Sequence, residues 1–129
     1  MANAVATASL TQPIDNTMRN SIAIGKLVIG ASPLQYVTGG IACDLSQLGI
    51  AAGGVPVSVD VNSARAAGAS AANTYLYNYL PGTTQANGVL QINTGAAAQT
   101  APTELSAGNI PAGVSGDTIV FTATFPRGT

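Results

Sequence analysis

Between Val55 and Asn62 the chain reads VPVSVDVN, with Val55, Val57, Val59 and Val61 on one side of an extended backbone and Pro56, Ser58, Asp60 and Asn62 on the other. A period of two suits a strand with one buried face, because successive strand side chains point to opposite sides of a sheet. Pro56 has no N–H to give to a ladder, which marks a strand start or an edge. The same reading finds further strands. SIAIGKLVIG, Ser21 to Gly30, alternates in its first half and becomes an apolar run in its second, as a strand buried increasingly on both faces would. TYLYNYL, Thr74 to Leu80, puts Tyr75, Tyr77 and Tyr79 on one face and stops at the turn dipeptide Pro81-Gly82. GVLQINT, Gly88 to Thr94, and DTIVFTATF, Asp117 to Phe125, complete the set, the last with Ile119, Phe121, Ala123 and Phe125 on one face.

No stretch carries convincing helical periodicity. SARAAGASAAN, Ser63 to Asn73, is rich in alanine, but Gly68 interrupts it and it reads as a loop. Six or seven short strands separated by Gly, Pro and Asn argue an all-β fold: a single-domain antiparallel β-sandwich, jelly-roll-like or barrel-like. A length of 129 residues suits one domain. Residues 1–20 are small and polar, contain Pro13, and show no strand or helix pattern, so they are expected to form an extended N-terminal arm, with the β domain over 21–129. Within that arm Leu10, Ile14 and Met18, spaced four apart, are the side chains expected to contact a partner. The same spacing fits one face of a short helix over Thr11 to Asn20. Gly95 to Gly116 is too long for a mere connection and is assigned to an interface between subunits.

Charge narrows the function. Four basic and five acidic residues make 7% of the chain, against about 25% in an ordinary soluble domain. With little like-charge repulsion to keep copies apart, extensive packing against protein partners is the favoured reading. Arg19, Lys26, Arg65 and Arg127 are scattered and build no basic patch, so nucleic acid is not expected as a partner. No window approaches the roughly 18 apolar residues of a membrane span, and MANAVATASL has neither the charged start nor the apolar run of a signal peptide. Folding in the cytoplasm is expected.

The single Cys43 and the lack of histidine argue against an intrachain disulfide and a zinc cluster; Cys43 reads as a small buried strand residue. Acid–base chemistry would rest on Asp15, Asp44, Asp60, Glu104 and Asp117, which lie far apart and mostly beside turn residues, so turn capping or solvation is the favoured role. No enzyme activity, cofactor or metal is expected. The tyrosine stripe could stack on sugar rings, but aromatic stripes at strand spacing more often belong to cores or interfaces.

The stretch LQYVTGGIACDLSQLG, Leu34 to Gly49, interrupts a strand-forming run with Gly39 and Gly40. Two glycines there mark a bulge, a bend or a close backbone approach, with one or both at positive φ. DLSQLG can form one helical turn that Gly49 ends. Tyr36, Thr38, Gly39 and Gly40 are therefore the structural positions of this segment. Together with the aliphatic residue after them and Asp44-Leu45 through Leu48-Gly49, they form a Y-x-T-G-G segment that resembles one in small head proteins of tailed bacteriophages. The tyrosine-rich strand with Pro81-Gly82 and the stretch Glu104 to Phe125 are similar to the closing part of such proteins, so the likeness runs in order over about residues 21 to 126. The resemblance implies a capsid decoration or cement subunit that sits on the exterior of the virion shell, binds the major capsid protein and stabilises it. A homo-oligomer, with a trimer favoured, follows from low charge and a thin core. The alternatives are a tail or collar component, or a surface carbohydrate-binding module using the tyrosines.

Overall fold

A computed structural model of the chain describes residues 2–16, 19–50, 54–64, 75–94 and 103–126. Its strands are β1 (Val5–Leu10), β2 (Asp15–Asn16), β3 (Asn20–Ile29), β4 (Gln35–Tyr36), β5 (Ile41–Asp44), β6 (Ser58–Ser63), β7 (Tyr75–Leu80), β8 (Gly88–Thr94), β9 (Thr103–Glu104), β10 (Gly108–Asn109) and β11 (Ile119–Pro126). The only helical pieces among the described residues are a 3-10 turn at Ser46–Leu48 and α1 (Ala112–Ser115). One sheet, in the order β6-β11-β3-β1-β5-β8-β7, curls into a half-barrel; β2 adds to β3, β9 adds to β8, and β4 pairs separately with β10. The all-β expectation holds in its barrel-like form.

Strand β11 alternates plainly along its length and lies between β3 and β6. Ile119, Phe121, Ala123 and Phe125 are all buried on the inner face, and the strand is laddered along β3 from Ile119↔Leu27 to Pro126↔Asn20. On β3 the inward set is Ser21, Ala23, Gly25, Leu27 and Ile29. Strand β3 is not buried increasingly on both faces as expected, since Val28 is 61% exposed. Its apolar run reflects an uncovered outer face, which hydropathy alone cannot tell from a covered one. Pro56 stands just before β6, which forms one end of the sheet path, as a residue without a ladder donor should.

The described residues of 1–20 are not an arm apart from the domain. Strand β1 sits inside the sheet, antiparallel to β3 from Ala6↔Ile29 to Leu10↔Gly25 and parallel to β5 from Val5↔Ala42 to Thr7↔Asp44. The parallel pair also makes the sheet mixed rather than purely antiparallel. Ala4, Ala6 and Ala8 face inward and are buried, alternating with exposed Val5, Thr7 and Ser9. Alanine has low strand propensity, so the pattern is quiet in the sequence, yet it serves where space is short. A Cβ built on Gly25 would collide with the Ser9 carbonyl oxygen and stand 3.0 Å from the Phe121 ring. The boundary expected between residues 20 and 21 thus falls at the start of β3, within the sheet. The rival helix over Thr11 to Asn20 is replaced, where residues are described, by β2 paired back on Ser21 and Ile22.

The inner face is filled by Tyr36, Phe121, Phe125, Ile29, Ile41, Leu45, Leu90, Ile92 and Ile119, with Cys43 fully enclosed as a small apolar residue. Of the segment assigned to a subunit interface, the described part, from residue 103 on, folds back on its own domain. Strand β9 pairs with β8, β10 pairs with β4, and Ile110 and Val114 are buried. Residues 95–102, and 65–73 of the expected loop, lie outside the described residues.

Candidate interaction surface

The Y-x-T-G-G segment forms a clamped turn. Tyr36 is 1% exposed; its hydroxyl donates to Glu104 Oε1 at 2.9 Å and accepts from the Ile92 N–H at 3.2 Å. The same carboxylate oxygen accepts from the Gly39 N–H at 2.5 Å, while the Gly40 N–H closes the turn on the Val37 carbonyl at 3.0 Å. Gly39 and Gly40 have φ of 98° and 128°, as their place in a strand-forming run implied. A Cβ on Gly40 would press on the Leu90 carbonyl and the Val89 side chain at 3.0 Å, whereas Gly39 faces open space. Thr38 is exposed at the tip. Downstream, the helical turn forms as expected, and Gly49 ends it with φ 78°. These residues position β4 and β5; they do not assemble a reactive site.

A second carboxylate braces the ends of the sheet path. Asp117 accepts from Ser63 Oγ on β6 at 2.7 Å and from the Tyr77 hydroxyl on β7 at 2.8 Å. Strands β6 and β7 run side by side with Cα atoms within 8 Å, yet no backbone ladder joins them among the described residues. The tyrosine stripe faces inward along this seam. Tyr77 is buried, and Tyr75 and Tyr79 are half-buried against the core, as the core reading of the stripe anticipated. Asp44 is also engaged, accepting from the backbone N–H of Ser46 at 2.8 Å and from its hydroxyl at 2.5 Å. Three of the five acids therefore serve turns and braces. Asp15 and Asp60 are exposed, and among the described residues no three metal-ligating side chains converge.

The three side chains expected to meet a partner are not gathered into one contact. Leu10 ends β1 and is 36% exposed, Ile14 is half-buried against the core, and Met18 lies outside the described residues. A surface that sequence reasoning missed is better organised. The registers Val5↔Ala42, Ala42↔Val89 and Val89↔Leu80 align four outward apolar side chains across β1, β5, β8 and β7. Val5 is 51% and Leu80 40% exposed, and Val28 extends the row from the next rung, opposite Thr7. A shallow depression of about 180 Å³ beside Val5 and Ala42 is lined also by Thr7, Asp44 and Gln47. The row combines one residue from each of four strands, so no local window of sequence displays it.

Compared with known proteins, the chain matches no family model, no curated protein and no solved structure. Among the described residues no helix is long and apolar enough to cross a membrane.

Proposed function

We propose that this chain is a structural virion protein of a tailed phage, a capsid decoration or cement subunit that binds the major capsid protein on the outside of the shell. The observation that carries the reading is the outward apolar row Val5, Ala42, Val89 and Leu80 in a chain with only 7% charged residues. A protein at high copy number with so little charge to keep it dispersed gains by covering such a row against another protein. The likeness of the Tyr36 to Gly40 segment to phage head proteins names the kind of partner. In this reading the protein is made in the host cytoplasm, associates as a homo-oligomer, with a trimer favoured, and has no catalytic or nucleic-acid-binding task.

The test is quantitative mass spectrometry of purified particles, followed by addition of the recombinant protein to undecorated shells. Hundreds of copies per particle and saturable binding to shells support a decoration subunit; a dozen or so copies assign it to a collar or tail instead. The variant Val5→Asp/Leu80→Asp alters two exposed positions and is expected to stay folded while losing shell binding. Unchanged binding by that variant would remove the apolar row from the account.

A further inference from the structure

We infer that the seam between β6 and β7 is a binding site for a neutral saccharide. The two strands line an open cleft of about 590 Å³, formed by residues 59–63 of β6 and 75–79 of β7. That volume lies within the range of about 300–1,000 Å³ typical of small-molecule sites. The inference does not depend on the particle assignment, because the cleft and the apolar row use different side chains.

Three features of the cleft select the ligand. The first is width. A strand lying between β6 and β7 and pairing with both would need them about 9.6 Å apart, twice the ladder spacing. Their Cα atoms come within 8 Å, which is too close for an inserted strand. An extended peptide is thereby disfavoured, and a small molecule at the mouth is favoured.

The second is charge. Among the described residues of the lining Asp60 is the only charged one, and none of them is basic and able to hold a phosphate, a nucleotide or an acidic sugar. A single carboxylate repels anions but accepts strongly from ligand hydroxyls. The third is the mixture of surfaces. Tyr75, Tyr77 and Tyr79 with Val59 and Val61 give an apolar floor, while exposed Asp60, Asn62 and Asn78 stand at the rim with Ser63 nearby. Amide and carboxylate groups supply both donors and acceptors, and a hydroxyl group can answer either. A ligand with one apolar ring face and a rim of hydroxyls meets both surfaces at once. Asp117 is already engaged behind the cleft by Ser63 and Tyr77, so it braces the floor and leaves ligand contact to Asp60.

The experiment uses the full chain and NMR titration with maltose, cellobiose and lactose, beside glucose 6-phosphate and an uncharged hexapeptide. At least one neutral disaccharide is expected to shift resonances of residues 59–63 and 75–79 saturably, while the sugar phosphate gives no shift. Asp60→Ala and Asn78→Ala, both at exposed positions, should each weaken that binding by about tenfold, the loss of roughly one hydrogen bond to a ligand. Their thermal unfolding should match the parent protein, which separates lost binding from lost fold. Binding of the sugar phosphate or the peptide in place of the disaccharides would overturn the inference. So would the lack of any shift in the cleft, or full retention of affinity in both variants.

Discussion

The Tyr77 hydroxyl donates a 2.8 Å hydrogen bond to Asp117 Oδ2, and this bond ties the last strand of the sheet path to the residue that leads into β11. Through the other oxygen of the same carboxylate, Ser63 brings in the first strand of the path. Side chains thus brace the half-barrel where a backbone ladder does not.

Removing the brace is expected to loosen the seam. Hydrogen bonds to a charged group contribute about 1.5–3 kcal/mol each, so Asp117→Ala should destabilise the protein by about 3 kcal/mol and Tyr77→Phe by about half of that. Urea unfolding measures both. In a double-mutant cycle the two changes should be strongly non-additive, because both delete the same bond. Additive losses would mean that Asp117 does not link the strands.

Truncation tests the place of β1. Deleting residues 2–10 takes away the strand between β3 and β5 and strips the ladder edges of both. The expected product is insoluble, since two unpaired edges and an opened core are exposed together. A soluble, cooperatively unfolding truncated protein would show that the sheet closes without β1.

The glycine pair should separate on substitution. Alanine at Gly39 meets only the cost of positive φ, about 1–3 kcal/mol. At Gly40 the same cost is joined by contacts of 3.0 Å with the Leu90 carbonyl and Val89, so Gly40→Ala should lower the melting temperature more. Glu104→Ala should also destabilise, by about 2 kcal/mol, because it frees both the Tyr36 hydroxyl and the Gly39 N–H. Equal tolerance at the two glycines, measured by thermal unfolding, would leave the close approach at Gly40 without energetic weight.

Alkaline pH should destabilise the fold. Burial raises Cys43 from 9.0 to about 12, with Asp44 adding to the shift. Burial likewise raises Tyr36 and Tyr79 from 10.0 to about 12. Each group keeps its proton in the folded state after the unfolded chain has lost it, so the unfolded state binds fewer protons in that window and stability falls as pH rises. The loss begins near pH 9 with Cys43, deepens above pH 10 with the tyrosines, and levels off near pH 12. Melting temperatures from pH 8 to 12 should trace this course. Cys43→Ala should delay the onset by about one pH unit, the gap between ordinary thiol and phenol values; an unaltered onset would show that the thiol does not contribute.

Alternation alone determined where β7, β8 and β11 run, because a buried face repeated every second residue leaves its mark in a few consecutive positions: Ile119, Phe121, Ala123 and Phe125 are the plainest case. The turn at Gly39-Gly40 and the helical stop at Gly49 were equally legible, since positive φ is a local demand that glycine meets. Strand β1 was not legible, because its inner face is made of Ala6 and Ala8, continuing from Ala4 just before it; a period of two was present, but in a residue that a hydropathy pattern barely registers. Pairing decided the rest. Glu104 reaches Tyr36 across 68 positions, β1 lies parallel to β5, and Val5, Ala42, Val89 and Leu80 become one row only through three inter-strand registers. Side-chain periodicity fixes which face of a strand is buried, whereas its neighbour is chosen by the packing of the whole sheet, and that choice aligned the row and left β6 facing β7 across an unladdered seam.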